Sequence, residues 1–431
     1  MAEVAQRQAE EVKSSPYSVL VNNPSYRWFY AGQGAALIGT WSQAAAARWI
    51  VYQITKSERA VGTVDAIEVL PGVIVGLFAG AVADKVPGRL MLSSMQIGQA
   101  TVAFTLATLV ATGHIQIWQM AALLAVAQIC VTFEEPSRQV FQRGLVGRAE
   151  MGHAIALETG LFNVSRVLGP AVAGVALAAL GQAAPFAING FSFLTALTIL
   201  LLLRLPEHPA DEPEEESPEQ VGLLAGVQHV WRDRRVLRIF ILLGAFGIFG
   251  LGYTALIPAY AQKHLQSSAG GYSALQVGGG IGSTVGAFVV AAAAGYKRRD
   301  LLVTGGIALA GLALILAGLT PGAFGPRAAQ PIAVALMFLN GMGTIAMFAT
   351  AQTLVQAAVP DAIRGRVVGL WMIVFSASAP IGSFTSGLLA GPVGVVPIMV
   401  ASGAICIALG LAALLSGMLI PSKREMRDGS V

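Results

Sequence analysis

Charge is what this chain has least of. Only 12% of its 431 residues are Asp, Glu, Lys or Arg, against about 25% in a soluble globular domain. A globule with so few charges would not stay solvated, so the composition excludes the ordinary water-soluble classes. The net charge of +4 is spread over short loops and points to no nucleic-acid partner. The two cysteines, Cys130 and Cys406, both sit in apolar runs, so no disulfide framework is indicated. Five scattered histidines argue against a metal centre. No nucleotide-binding loop or catalytic triad is present, so an enzyme is not expected and no bound cofactor is required. The first 25 residues lack an apolar core, so no cleavable signal peptide is expected and the first hydrophobic helix must serve as its own targeting signal.

In place of charge there is hydrocarbon. Hydrophobic residues make up 55% of the chain, and its 50 glycines suit close helix packing in a polytopic bundle. Apolar runs bounded by turn and charge signals predict an all-α membrane protein with twelve spans. They lie near 27–55, 60–83, 89–112, 117–141, 152–179, 184–204, 236–262, 272–295, 301–320, 331–357, 365–389 and 394–420. The domains expected are an N-tail 1–26, a first six-helix bundle 27–204, a linker 205–235, a second bundle 236–420 and a C-tail 421–431. The linker opens acidic and proline-rich and closes on an amphipathic helix with a basic end. Lys and Arg crowd the loops on one side of this scheme and leave only Lys56, Arg59, Lys263 and Arg327 on the other. That asymmetry predicts both termini in the cytoplasm.

The stretch 60–92 organises the first half. Glu68, Gly72, Gly76, Gly80 and Asp84 recur every four residues. Glycines at that spacing make a groove in which another helix can pack closely. Gly278, Gly282 and Gly286 repeat the spacing in the second half, and a basic turn, Lys297-Arg298-Arg299, again follows. Gly169-Pro170, with Gly174 beyond it, has a counterpart in Ala379-Pro380. The acids do not repeat: Ala274 and Gly271 stand where Glu68 and Asp65 would be.

Ionisable groups inside apolar spans are costly, roughly 2.5–3.5 kcal/mol each at mid-helix on insertion scales. Arg48, Asp65, Glu68 and Arg166 are the ones of interest. Either they form a permanent buried ion pair, or a carboxylate among them, Glu68 first and Asp65 next, binds a proton and exchanges it for a cationic partner. Glu134, Glu135 and Arg138 mark the inner end of the fourth span, where Pro136 should disturb the last turns, and Glu158 can pair with Arg138 or His153. Gln43, Glu134, Asn340 and Gln352 are candidates for a substrate cavity wall, or equally for helix–helix hydrogen bonds.

The turn GAVADKVPGR resembles the signature between helices 2 and 3 of the major facilitator superfamily, with Gly80, Asp84, Lys85 and Arg89 in the matching places. Pro87 and Gly88 depart from it and thin its basic part. SRVLGPAVAG in the fifth span resembles the Gly-Pro signature of the superfamily's antiporters. GTWSQAAAARWIVYQITKS and QAAVPDAIRGRVVGLW are similar to bacterial exporters related to enterobactin and macrolide efflux proteins. The resemblance implies two pseudo-symmetric six-helix bundles in the bacterial cytoplasmic (inner) membrane, moving a small amphiphilic molecule by alternating access at the expense of protons. It also implies an inner gate in which Asp84 meets the helix that begins near Arg364 and Arg366. The expected partners are a small-molecule substrate, protons and the bilayer, with a monomeric chain. Import, or transport of a lipid-like substrate, is the alternative within transport; a non-transporting scaffold or sensor is the alternative outside it.

Overall fold

A computed structural model describes residues 17–83, 85–203, 223–293, 295–296 and 298–416. Among them the chain is helical, with no strand. A short α1 (Ser18–Asn22) precedes α2 (Pro24–Thr55), α3 (Glu58–Ala83) and α4 (Gly88–Ala111). Then come α5 (Ile117–Gly147), α6 (Glu150–Ala179) and α7 (Ala184–Leu202). The second half holds α8 (Leu223–Arg232), α9 (Arg234–His264), α10 (Ala269–Ala292) and α11 (Arg299–Phe324). It closes with α12 (Pro326–Ala358), α13 (Asp361–Val393) and α14 (Val395–Leu415).

Ten of these helices, α4 to α7 and α9 to α14, are long and apolar enough to cross a bilayer. α2 and α3 run to 32 and 26 residues. The chain is a multi-pass membrane protein. Each expected span coincides with one helix, but Pro136 does not disturb the end of the fourth. There α5 runs on to Gly147, whose backbone (φ 71, ψ 171) leaves helical space. Gly325 (φ 75, ψ 161) and Gly394 (φ 98, ψ 157) break the chain in the same way before α12 and α14. This region is essentially closed to residues with a Cβ, so glycine, not proline, sets these reversals.

The helices gather into two compact units. One holds the first half of the chain up to Ala47 and again from Leu70; the other holds Arg48–Val69 together with the second half. The first-bundle boundary expected at 27–204 does not mark this division, because the Thr55 end of α2 and the Glu58 end of α3 pack with second-half helices. A Cβ on Gly387 of α13 would stand 2.5 Å from the Glu58 carbonyl oxygen, and Gly62 of α3 lies as tightly on the backbone of Ser383.

In the first unit, Tyr26, Phe29, Phe141, Leu145, Leu157 and Leu200 form a core joining α2, α5, α6 and α7. Gly169 of α6 presses on the Trp41–Ser42 backbone of α2, and the neighbouring Gly174 is buried. Pro170 stands inside α6 without ending it. The glycine row of α3 is used unevenly. Gly72 fits tightly against Gln128 and Thr132 of α5, Gly76 only touches Thr132, and Gly80 meets nothing within 4 Å.

In the second unit the corresponding row is fully engaged. Gly278, Gly282 and Gly286 of α10 abut the carbonyls of Val334, Phe338 and Met342 of α12. Gly306 and Gly343 then bring α11 against α12, and Gly311 and Gly403 bring α11 against α14. The core of this unit surrounds the fully buried Trp371, whose ring meets Phe240 at 5.7 Å and Phe348 at 5.6 Å. The expected amphipathic helix is α8, laid on α13 so that Gly226 meets the Arg366 side chain while Trp231 stays exposed. The acidic stretch before it lies outside the described residues, as do residues 1–16 and the C-tail, whereas the rest of the expected N-tail forms α1 and the start of α2.

Adjacent glycines make a clean test of this packing. A Cβ on Gly306 would stand 2.7 Å from the Gly343 carbonyl oxygen, whereas one on Gly305 meets nothing within 4 Å. Gly306→Ala should destabilise the purified protein by about 1–3 kcal/mol through overpacking. Gly305→Ala should be neutral or slightly stabilising through helix propensity. Thermal unfolding of the two variants reads the difference directly.

Candidate functional site

Of the charged residues predicted inside spans, Arg48 meets the acids of α3 and Glu158 meets Arg138, while Arg166 lies apart. Two turns of helix before α2 ends, Arg48 reaches across to α3. Its Nε donates to both oxygens of Asp65, at 3.0 and 3.1 Å. Asp65 is buried and Arg48 partly so. A charge-assisted bond of this kind is stronger than a neutral one, and removing one partner alone strands a buried charge. The Trp49 ring stacks on Tyr272 of α10 at 5.2 Å, which places a phenol beside the pair.

Glu68 stands one turn along α3 from Asp65, half-buried, and no basic side chain of the described residues is within ion-pair distance of it. Arg48 thus takes Asp65 as its partner and leaves Glu68 as the neighbouring carboxyl. Arg166, the other expected partner, belongs to the first unit and lies with its guanidinium over the Trp41 ring at 5.7 Å.

A second cluster at the ends of α2 and α3 escaped sequence reasoning. Lys263 Nζ, near the end of α9, donates to the buried Glu58 carboxylate at 2.7 Å. Lys56 Nζ donates to Gln53 Oε1 at 2.7 Å and to Gln262 Oε1 at 3.2 Å. Both ammonium groups face the Tyr52 ring, at 5.8 and 5.9 Å. The end of α9 is wound as a 3-10 stretch, Gly252–Leu256, and a wider π turn, Tyr260–His264, which aims Gln262 and Lys263 at this cluster. Glu58 and Lys263 are 205 residues apart, so no local pattern announces the pair.

Three of the four polar cavity candidates are engaged within their own units. Asn189 Nδ2 of α7 donates to Gln43 Oε1 at 3.0 Å. Asn340 accepts from the Tyr253 hydroxyl at 2.6 Å and donates to the Ala310 carbonyl at 3.0 Å. Glu134 is buried and accepts a bond from Gln99 of α4. Gln352 is half-buried on α12.

Of the expected gate residues, Asp84 lies outside the described residues. Lys85 is exposed in the turn that follows α3. The Arg89 guanidinium donates to the Leu201 carbonyl in the last turn of α7. Arg364 Nε donates to Gln356 O at 3.1 Å, and its Nη2 lies 3.5 Å from Val359 O, at the end of α12. Both arginines therefore satisfy carbonyls that a helix C-terminus leaves open, where a cation is also favoured by the helix dipole. Arg366 is half-buried beneath Gly226 of α8.

Comparison with known proteins places this arrangement. The sequence model of one family, described as transmembrane secretion effector, matches residues 14–428. The chain is 22% identical over 384 residues to macrolide efflux protein A of Streptococcus pyogenes, covering 88% of this chain and 93% of that one. It is 24% identical over 392 residues to the multidrug efflux pump Tap of Mycolicibacterium fortuitum, covering 88% and 91%. Among solved structures, a bacterial homologue of the human lysosomal transporter Spinster, inward-facing, superposes with a TM-score of 0.72 at 14% identity, over 94% of this chain and 97% of that one. The nucleoside transporter NupG gives 0.70 at 13% identity, over 92% and 100%. Matched along nearly its whole length and built of membrane-crossing helices around buried charge, the chain belongs to the transmembrane secretion effector family of the major facilitator superfamily, and is a transporter rather than an enzyme.

Proposed function

We propose that this protein is a proton-coupled exporter of a small amphiphilic molecule in the bacterial cytoplasmic membrane. It works as a monomer with twelve spans in two six-helix bundles and with both termini in the cytoplasm. Its relatives in drug efflux support the direction of transport. The observation that carries coupling is one guanidinium, Arg48, with two carboxyls within reach of its helix. Asp65 holds it at 3.0 Å while Glu68 stands a turn away. In apolar surroundings a carboxyl without a cation costs less protonated than charged. If Arg48 shifts its partnership as α2 and α3 move, the proton moves to the carboxyl that has lost the cation. Each state of the transporter would then hold its proton at a different place, which is the requirement for exchange.

Folded Glu68→Gln protein in proteoliposomes should keep substrate binding and lose pH-gradient-driven flux, by about 100-fold, the lower end for loss of a proton-transfer group. A purely structural role predicts instead a loss of thermal stability with gradient-driven flux unchanged per folded molecule. Full gradient-driven flux by folded Glu68→Gln would remove it as the coupling site.

The gate implied by the family signature makes a separate prediction. Asp84→Asn should slow turnover with little loss of folded protein and shift accessibility towards inner-open forms, because the contact it weakens exists in one state only. Unchanged accessibility and turnover would reduce the turn to a loop.

Topology is tested by cysteine labelling of intact cells. Position 327 should react with an impermeant thiol reagent from outside, and positions 85 and 215 should not. External labelling at 215 would overturn the orientation.

A further inference from the structure

Four arginines stand within seven residues where α8 gives way to α9: Arg232, Arg234, Arg235 and Arg238. The acid among them, Asp233, is spent as the cap of α9, its Oδ1 accepting from the Arg235 and Val236 amides at 2.8 and 3.1 Å. Arg232, Arg234 and Arg238 are exposed, and no acid among the described residues lies within ion-pair distance of them. The first turn of α9 holds no acid either. Guanidinium groups therefore gather at the end of a helix where the backbone is already positive, the reverse of what the helix dipole favours.

Other helices that begin with basic residues resolve the same conflict internally. Arg298, at the cap of α11, pairs with Asp300 at 2.9 Å. Arg89 and Arg364, in the first turns of α4 and α13, reach carbonyls at the ends of α7 and α12. The three exposed arginines around the start of α9 have no such answer, and the partner they fit is an anion from outside the chain. Their setting specifies its class. α9 is long and apolar enough to cross a bilayer, so its first turn stands at the level of the head groups. Arg234 and Arg238 lie about one turn apart on one face, and Ile241, 61% exposed, continues that face into the apolar part of the helix. On the other side of the corner Trp231, next in sequence to Arg232, is 69% exposed. Indole rings settle at the boundary between head groups and acyl chains. The surface offers cations at head-group level and hydrocarbon below them, which match the two ends of one phospholipid. Guanidinium forks also fit phosphate oxygens in a bidentate way.

We infer that the α8–α9 corner binds an anionic phospholipid, its phosphate held by Arg232, Arg234 and Arg238 and its acyl chain laid along Ile241. The inference is independent of substrate, coupling and direction of transport, and requires only that α9 spans the membrane. The acidic stretch Asp211–Glu216, which precedes α8 in the sequence, is a rival anion. It brings no long apolar side chain to the exposed Trp231 and Ile241, whereas a phospholipid covers both.

The test is native mass spectrometry of the purified full-length protein, exposed in detergent to equimolar phosphatidylglycerol and phosphatidylcholine of identical acyl chains. The wild type should retain phosphatidylglycerol over phosphatidylcholine by about tenfold, within what two or three basic residues contribute beside charged lipid. The preference should shrink as salt is raised. Arg234→Gln combined with Arg238→Gln should abolish it, and the matching lysine pair should retain part of it. Arg232→Gln, on α8, decides the matter if the α9 pair does not fold. Lys85→Gln combined with Arg143→Gln removes the same charge from exposed positions elsewhere and should leave the preference intact. An equal loss in that control, or a wild type without preference, would overturn the site. Displacement of the lipid by millimolar glycerol phosphate would make it a site for soluble anions and overturn the lipid equally. Glu214, Glu215 and Glu216 changed together to Gln should alter nothing. A preference that emerges only in that variant would give the arginines to the acidic stretch instead.

Discussion

Lipid gives two apolar helices no reason to prefer each other over acyl chains, so their association depends on how closely they can approach and on the polar groups they exchange. In the second unit approach is decided at glycine. The α10–α12, α11–α12 and α11–α14 contacts each bring a glycine onto a carbonyl of the facing helix. Trp371 and its aromatic neighbours then fill the space that these backbone contacts leave beside them. The first unit is built with less glycine contact and more side chain, as the tight Gly72 and open Gly80 of a single row show. A helix packed along its whole length is held, whereas one packed at one end can tilt. Gly80, in the part of α3 that a family signature connects with gating, meets nothing within 4 Å.

Polar exchange follows the same economy. Several charged side chains among the described residues have a defined partner. Arg48 holds Asp65, Lys263 holds Glu58, Arg298 holds Asp300, and Arg89 and Arg364 close helix ends. Against these pairs the carboxyls without one stand out, buried Glu134 on the neutral Gln99 among them. Glu68 is a carboxyl without its own cation, and Arg138 is shared between Glu135 and Glu158.

Much of the fold was legible in the sequence because a bilayer makes the problem local. Hydrocarbon thickness sets the length of a span, the backbone must satisfy its hydrogen bonds within it, and both conditions are met by counting apolar residues. The helices fall on the expected runs for this reason, and the row Gly278, Gly282, Gly286 packs as its spacing suggests. Pro136 misled because a proline is tolerated in a membrane helix whose freed carbonyl finds another partner; the chain turns at Gly147.

Partner choice was not legible. The sequence by itself determined where the helices run, which of them carry charge and that the charges are too costly to be idle. The tertiary structure alone decided that Arg48 takes Asp65 and not Glu68, that Lys263 returns to Glu58, and that Glu158 takes Arg138 rather than His153. A span is written in consecutive residues, while a pair depends on how two helices distant in sequence are rotated and tilted against each other. At roughly 100° per residue, a small change in that rotation hands a guanidinium to a different carboxylate.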